Sequence, residues 1–394
     1  MATLTAPAPD ATLASSFDPR VNALNGLRLL LAGAVVFGHA ALLGGYQLPG
    51  PVMLSLSELA VDGFFALSGF LITRSWLRHP EWRRYLWHRA LRILPAFWVC
   101  LVITAAVLAP LGIVLRGESL TGYWTASDGP FGYLWRNWLL WIGQPGIAGS
   151  PDWSGYPGFW NGSLWSLYWE FLCYLGLGLL GALGVLRDRR VLVLAAFVAV
   201  WLVTAVKNLV PGVDAQYFAS FNGQVVPRLT LMFLAGCVLF LYAEKVPMSG
   251  VFAASSALLV VAGLVSGLDL RLLGGLPLAY LLLWLGCRVP VRIGMRTDVS
   301  YGVYIYAFPI QQVLFAAGLA TVGWLGYALL ATMLTVPLAY ASWRLVERPA
   351  LRLKARGPGS SQAPGGAAGA VLGGAVMAVI FAVFGLLMVV APVV

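Results

Sequence analysis

An arginine and a histidine interrupt an apolar stretch near the start of the chain. The stretch reads GLRLLLAGAVVFGHA over residues 26–40 and contains Arg28 and His39. Charged residues are costly inside a membrane helix, at roughly 2.5–3.5 kcal/mol on insertion scales, and they often mark a functional path. Eleven residues of helix make three turns plus about 20°, so both side chains share one face, about 16 Å apart along the axis. Histidine changes charge near neutral pH, which suits a general base.

Both residues also have simpler interpretations. Arg28 lies near the predicted cytoplasmic end of its helix, where a long cationic side chain can extend to the polar interface. His39 can be a histidine that is hydrogen-bonded to a neighbouring helix. In the functional interpretation, one face of this helix lines a polar path across most of the bilayer.

Polar residues also lie at the ends of other apolar runs. Glu58 and Asp62 are four residues apart and share a helix face, which predicts either a solvated helix end or the wall of an outer site. Glu170 lies about two turns into a later run, where an unpaired carboxylate is costly, so we expect an arginine or histidine partner. Arg89 and Arg92 lie at the start of the third run and form either a topology signal or a phosphate clamp, because guanidinium groups bind phosphate in bidentate fashion.

The composition indicates which elements hold these residues. The chain has 394 residues, of which 60% are apolar and 10% charged, and its mean hydropathy is +0.83. Soluble domains have about 25% charged residues. Apolar runs near the length needed to cross a bilayer recur along the chain, and each must satisfy its backbone hydrogen bonds internally. We therefore predict an all-α, polytopic integral membrane helix bundle.

Ten apolar runs form the predicted core, and an eleventh follows. The ten runs cover residues 24–45, 59–77, 91–113, 163–186, 190–207, 228–243, 250–267, 272–288, 299–319 and 323–345. The predicted organisation is a disordered cytoplasmic tail (1–20), a ten-helix core (21–356), a flexible linker (357–369) and an accessory transmembrane helix (370–394).

The distribution of charge predicts the orientation and excludes nucleic acid as a partner. The net charge is +10, but 20 of the 25 basic residues fall on one side when the N-terminus is placed in the cytoplasm. This asymmetry is typical of the positive-inside rule. The four cysteines lie in apolar runs without the spacing of metal ligands, so we predict no metal site. The N-terminus lacks the pattern of a cleaved signal peptide.

One long external segment, residues 114–162, is rich in tryptophan. Residues 131–143 are apolar but too short to cross, and they predict a re-entrant or interfacial helix. Eight of the sixteen tryptophans fall within residues 121–170. They form either an interfacial aromatic belt or an aromatic vestibule in which a sugar ring rests on indole faces, and the two are compatible.

Six short motifs resemble, in order, those of the bacterial membrane acyltransferase 3 family, which includes O-acetylases of surface glycans. They are the Arg-x10-His pair of Arg28 and His39, FFALSGFLI (64–72), RALRILPAF (89–97), WSLYWEFLCY (165–174), SYGVYIYAFP (300–309) and VERPA (346–350). One position departs from the family pattern. Members often carry histidine where this chain has Ala307, so the fifth motif must use Tyr306 or act without such a side chain.

The resemblance implies an integral membrane O-acyltransferase. It would transfer an acyl group, most simply acetyl, from cytoplasmic acyl-CoA to a hydroxyl of a glycan, glycolipid or glycosylated metabolite on the outer side. The implied place is the bacterial cytoplasmic (inner) membrane, in contact with lipid, with several passes and a cytoplasmic N-terminus. Acyl-CoA is then a donor substrate, and no bound cofactor is expected.

The resemblance also suggests roles for particular residues. His39 is the expected catalytic base, with Arg28 and Glu170 as further catalytic-site residues, and an acyl-histidine relay stays open. Arg89 and Arg92 are expected to bind the phosphates of acyl-CoA. The acceptor-site candidates are Glu58, Asp62, Ser68, Trp165, Tyr301 and Tyr306.

The alternative function is a membrane carrier or flippase for a glycolipid or polar solute. A polar helix face would serve a translocation path equally well. Carrier folds often contain internal repeats, and no convincing repeat relates the halves of this chain. Motifs typical of membrane peptidases, His-Glu-x-x-His and Gly-x-Ser-x-Gly, are absent from the sequence.

Overall fold

The computed structural model describes residues 11–47, 52–290, 293–294 and 297–357. Across these residues every regular element is a helix, which confirms the all-α prediction. The predicted accessory helix at 370–394 lies outside the described residues, as does the predicted linker beyond Gly357.

Ten long helices match the predicted apolar runs. They are α1 (Leu24–Gly44), α2 (Val52–Arg78), α3 (Trp82–Ile103), α4 (Trp165–Ala182), α5 (Val191–Leu209), α6 (Phe221–Leu241), α7 (Gly250–Val265), α8 (Leu270–Arg288), α9 (Ser300–Ala316) and α10 (Trp324–Ser342). In the described part of the chain, seven helical stretches are long and apolar enough to cross a membrane. These stretches include α1, α2, α3, α5, α6, α8 and α10. The chain is therefore a multi-pass membrane protein.

Two of these helices continue through a wider turn near a proline. Helix α3 runs through a π turn at Thr104–Leu108 into Ala109–Leu115, and α10 runs through a π turn at Trp343–Glu347 into Arg348–Arg352. Pro110 and Pro349 each come two residues after a π turn ends. Proline has no N–H to donate to the carbonyl four residues earlier, so the helix locally adopts a wider hydrogen-bond pattern.

The chain forms two compact units. The described residues of the first unit lie within Met1–Leu31, Leu59–Pro80 and Leu175–Met295, and those of the second lie within Ala32–Glu58, Glu81–Tyr174 and Arg296–Val394.

In the first unit, α7 packs on α8, and α6 packs on α5 and α8. Helices α2 and α6 approach closely through glycine. A Cβ atom on Gly69 would lie 2.0 Å from the carbonyl oxygen of Phe233, and one on Gly236 would lie 2.0 Å from that of Ala66. Small residues are needed where two membrane helices touch through their backbones.

The start of the described chain is ordered, whereas the sequence predicted a disordered tail through residue 20. Leu13–Ser16 is a short helix, and Thr12 and Ser15 form a capping box at its start. Leu13 is fully buried, and its N–H donates to the carbonyl oxygen of Val246 over 2.8 Å. Burial of this leucine provides the apolar contact that fixes the segment.

In the second unit, α9 packs on α10, and α3 packs on the π turn at 343–347. The segment predicted to be external, residues 114–162, contains a helix at Pro130–Asn137, shorter than the predicted 131–143. The helix ends at Asn137 because its side-chain amide bonds the backbone of Gln144 twice, over 2.8 and 3.0 Å. These two bonds fold the chain back on itself.

Candidate active site

His39 lies in the second unit, half-buried on α1, and its ring is held from two sides. Its Nδ1 is 3.4 Å from Oγ of Ser163. The ring of Phe308 packs edge-on against it, with 5.1 Å between centroids. A Cβ atom on Gly162 would lie 2.6 Å from the Phe308 ring, so only glycine leaves this ring in place.

Ser163 is itself held by a buried hydrogen-bond network. Its carbonyl oxygen accepts from the Tyr304 hydroxyl over 2.9 Å, and that hydroxyl also bonds Oγ of Ser166 over 2.6 Å. Asn161 accepts from the N–H of Ser163 and donates to the carbonyl oxygen of Ile305 over 2.7 Å. The fourth and fifth motifs are thus joined beside His39.

Sequence reasoning did not select Ser163 or Asn161. The available signal was their position in NGS (161–163), which only Leu164 separates from Trp165 at the start of the fourth motif. With its proton on Nδ1, the imidazole donates to Ser163 Oγ and keeps Nε2 as a base. Buried networks of this kind fix one side-chain orientation.

Arg92 is bound by two carboxylates from distant parts of the second unit. One of its terminal nitrogens lies 2.5 Å from Asp298 Oδ2, and the other lies 3.7 Å from Glu347. Its guanidinium also lies over the ring of Tyr301 at 5.9 Å. The Tyr301 hydroxyl donates to the carbonyl oxygen of Ile93 over 2.9 Å. The third, fifth and sixth motifs therefore meet at Arg92.

Arg89, one turn before Arg92, has different surroundings. Its guanidinium lies 5.9 Å from the centre of the Tyr174 ring. The Tyr174 hydroxyl donates to Glu170, which also interacts electrostatically with Arg89. This agrees with the expectation that Glu170 needs a cationic neighbour.

Two further basic residues, Lys354 and His88, gather at Arg89. Lys354 interacts electrostatically with Arg89 and Arg92. The Trp87 indole donates to the carbonyl oxygen of Leu353 over 3.3 Å, which holds the end of the α10 continuation on the start of α3. His88 interacts with the charges of Lys354 and Arg89. Sequence reasoning did not single out Lys354 or His88.

The remaining predicted residues of the second unit are placed separately. Tyr306 and Ala307 are fully buried on α9. Trp165 begins α4 and is half-buried, whereas Glu58 is exposed on α2. Their roles at an acceptor site stay predictions.

Arg28, Asp62 and Ser68 belong to the first unit. Asp62 is fully buried, and its two oxygens accept from Arg228 over 2.8 Å and from Arg271 over 2.7 Å. A carboxylate with both oxygens bound by guanidinium groups is an internal structural anchor. This geometry favours a structural role for Asp62, while its acceptor role stays a prediction. Ser68 is buried, and Arg28 is half-buried on α1.

The aromatic residues of the external segment divide between a packed layer and an exposed surface. The indoles of Trp98 and Trp138 stack 4.5 Å apart, and Trp160 is fully buried. Burial raises the pKa of Tyr133 well above its ordinary value, so this phenol stays protonated. Trp135 has 80% of its surface exposed and is the side chain best placed to meet a ligand or the membrane interface.

Comparison with known proteins agrees with the motifs. A family model described as an acyltransferase domain, that of the acyltransferase 3 family, matches residues 21–344. The chain is 28% identical over 343 residues to an O-acetyl transferase of Shigella phage Sf6, covering 83% of this chain and 95% of the phage protein. It is 27% identical over 360 residues to Nodulation protein 10 of Rhizobium leguminosarum bv. viciae, covering 83% and 92%. No solved structure matches the chain.

The family match extends over most of the chain and confirms the resemblance carried by the six motifs. It also favours the enzyme over the carrier. The chain belongs to the acyltransferase 3 family and is a membrane O-acyltransferase.

Proposed function

We propose that this enzyme transfers an acetyl group from cytoplasmic acetyl-CoA to a hydroxyl of a glycan or glycosylated acceptor on the outer side of the membrane. The observation that carries the proposal is that one unit holds both parts of such a site. His39 lies in a hydrogen-bond network suited to a base, and Arg89 is the centre of a basic cluster suited to phosphate. The name of the phage relative supports acetyl as the group.

In the proposed reaction His39 acts as general base through Nε2. It removes the proton of the acceptor hydroxyl while that oxygen attacks the thioester carbonyl carbon. The C–S bond then breaks, and the protonated imidazole returns the proton to the CoA thiolate. The products are an O-acetyl ester and free CoA. General base catalysis of this kind typically contributes a factor of about 10²–10⁴.

The donor would be held at Arg89, with Lys354 as a second cation and His88 beside them. CoA carries several phosphate charges, and guanidinium and ammonium groups at one place favour them. Arg92 is already bound by Asp298 and Glu347, so its proposed role is to hold the third, fifth and sixth motifs together. This assignment changes the predicted phosphate clamp, because Lys354 replaces Arg92 as the second cationic residue beside Arg89.

The proposed orientation places the N-terminus in the cytoplasm of a bacterial inner membrane. Arg89 and Lys354 belong to clusters that the charge asymmetry predicts on the cytoplasmic side, whereas residues 114–162 are predicted outside. His39 would receive the acceptor hydroxyl near the outer end of α1.

The test uses the full-length protein in liposomes with radiolabelled acetyl-CoA, following CoA release and label transfer to a crude glycan fraction. Wild type should release CoA, and His39→Ala should lower release by a factor of about 10²–10⁴ without loss of thermal stability. A His39→Ala variant that keeps wild-type turnover would contradict the role of His39. If wild type neither binds nor consumes acetyl-CoA, the proposed donor is wrong.

A direct transfer and an acyl-histidine relay give different results in the same preparation. Without acceptor, direct transfer leaves the protein unlabelled. A relay instead gives protein-bound label that is lost in His39→Ala.

A further inference from the structure

A cleft of about 460 Å³ in the first unit is lined by none of the residues proposed for acyl transfer. Its apolar wall includes Phe17, Phe70 and Phe240, and its cationic groups are Arg74, Arg187 and Arg190. Glu244 is the acidic residue among those that line it. Three arginines and one glutamate give the lining a formal charge of +2.

The aromatic wall is a packed surface. The ring of Phe70 meets Phe17 at 5.0 Å and Phe240 at 5.2 Å, both edge to face. Edge-to-face contacts at these distances are favourable and restrict the rings. One side of the cleft is therefore a preformed apolar surface of the kind that an acyl chain needs.

Aromatic faces also position two of the arginines. The guanidinium of Arg74 lies 5.7 Å from the centre of the Phe17 ring, and that of Arg190 lies 5.0 Å from the centre of the Tyr242 ring. Arg190 also donates to the carbonyl oxygen of Leu241 over 3.3 Å. Arg74 interacts with the charges of Arg78 and Asp18. Stacked guanidinium groups keep donors at their edges for a second ligand.

We propose that this cleft binds the phosphate group of an anionic amphiphile. The phosphate would lie between Arg74 and Arg190, with Arg187 at the entrance and the acyl chain along the three phenylalanines. Arginine recognises phosphate through paired hydrogen bonds, and basic pockets between membrane helices bind phospholipid head groups. The volume also falls in the usual range of about 300–1,000 Å³ for ligand sites. The proposal goes beyond acyl transfer, because its residues are distinct from the proposed donor and base sites.

Two sources offer this chemistry, an anionic phospholipid of the bilayer and a soluble long-chain acyl-CoA. The experiment photo-crosslinks the purified full-length protein with diazirine-bearing phosphatidylglycerol, palmitoyl-CoA or, as the zwitterionic control, phosphatidylcholine. Labelled peptides are identified by mass spectrometry. Label on residues 13–17, 70–77 or 240–244 should come from one or both of the anionic probes and should saturate.

A matched pair of double variants tests the arginines. Arg74→Gln/Arg190→Gln should raise the half-saturating probe concentration at least tenfold. Arg78→Gln/Arg189→Gln, which removes the same charge from neighbouring positions that do not line the cleft, should leave it within twofold. Should the first variant fail to fold, Arg74→Lys/Arg190→Lys keeps the charge, and it should still weaken labelling because lysine lacks the paired donors.

Three results would overturn the proposal. They are equal labelling by phosphatidylcholine, an equal loss in both double variants, and label that maps only outside the cleft. None of these readouts depends on transferase activity, so the experiment tests ligand binding at the cleft independently of the acyltransferase reaction.

Discussion

At the residue scale, the contact between His39 and Ser163 decides how the histidine can act. The hydrogen bond made by one nitrogen of a neutral imidazole sets which nitrogen carries the proton and which is left as the base. Asn161 and Tyr304 hydrogen-bond to the backbone of Ser163 and hold it in place, so the position of its hydroxyl beside His39 is fixed. The orientation proposed for His39 therefore depends on Ser163, Asn161 and Tyr304.

Ser163→Ala removes the partner of His39 Nδ1 without removing the base. We expect the kcat of acetyl transfer to fall about tenfold, less than the factor of about 10²–10⁴ that general base catalysis supplies, because the base itself stays, and the KM for acetyl-CoA to stay unchanged. Steady-state CoA release measures both constants. Ser119→Ala, in an exposed part of the same external segment, is the matched control.

If Ser163 acts through His39, the effects of the two substitutions should not add, and a double variant tests this. In a His39→Ala background, Ser163→Ala should have no further effect on the remaining turnover. An additive loss would show that Ser163 acts independently of His39.

Arg89 and Arg92 share a motif but should respond differently to substitution. Arg89→Gln should raise the KM for acetyl-CoA at least tenfold and lower Tm less than Arg92→Gln does. Arg92→Gln leaves Asp298 and Glu347 without their guanidinium, and losing one partner of a buried pair costs about 3–5 kcal/mol, so its Tm should fall clearly. Thermal unfolding and CoA-release kinetics on both variants, with exposed Arg83→Gln as control, separate the two roles. If both variants raise the KM equally and neither lowers the Tm, the result would instead support the prediction that both arginines bind the phosphates of acetyl-CoA.

At the element scale, long apolar runs in the sequence predict where the helices lie, but they do not predict which side chains pair in the folded chain. Each of the ten predicted runs corresponds to a long helix, because hydropathy and length are local properties of the sequence. The partner of Arg92, Asp298, is 206 positions away, and no local pattern encodes that pair. The helix at 130–137 was predicted too long because the bonds from Asn137 to Gln144 override apolarity there.

The π turn at 343–347 after α10 has a cause that is visible in the sequence, the proline at position 349. Pro349 cannot donate to the carbonyl of Leu345, and the wider turn leaves Glu347 buried near Arg92. Such turns are frequent at functional sites in helices. The sequence shows where the prolines lie, but it does not show how a proline changes the direction of the side chains before it.

Pro349→Ala allows the α-helical hydrogen bond to form and should turn Glu347 away from Arg92. We expect lower Tm and reduced acetyl transfer, although alanine is the better helix former. Pro337→Ala is the matched control, because Pro337 lies in the same helix without a neighbouring π turn. Unfolding temperature and CoA release are measured on both. Stabilisation by Pro349→Ala with full activity would show that the wider turn is not needed.

At the scale of the whole molecule, charge is arranged differently in the clusters predicted on the two sides. Among the five basic residues predicted outside or at outer helix ends, Arg228 and Arg271 pair with Asp62, and Lys207 lies 3.6 Å from Asp214. The basic residues predicted inside outnumber their acids and include the cluster at Arg89. The number of basic residues on each predicted side is enough to predict this asymmetry. Which basic residue pairs with which acid can be seen only in the folded chain.

The orientation of the whole chain can be tested with single cysteines. The native cysteines are buried or half-buried, so an impermeant maleimide should label wild type weakly in intact cells. Ser119→Cys lies exposed in the segment predicted outside, and Arg83→Cys lies exposed in a cluster predicted inside. Ser119→Cys should be labelled in intact cells, and Arg83→Cys only after permeabilisation, because positive clusters stay in the cytoplasm. The reverse pattern would place Arg89 and Lys354 away from cytoplasmic acetyl-CoA, and the proposed direction of transfer would then be wrong.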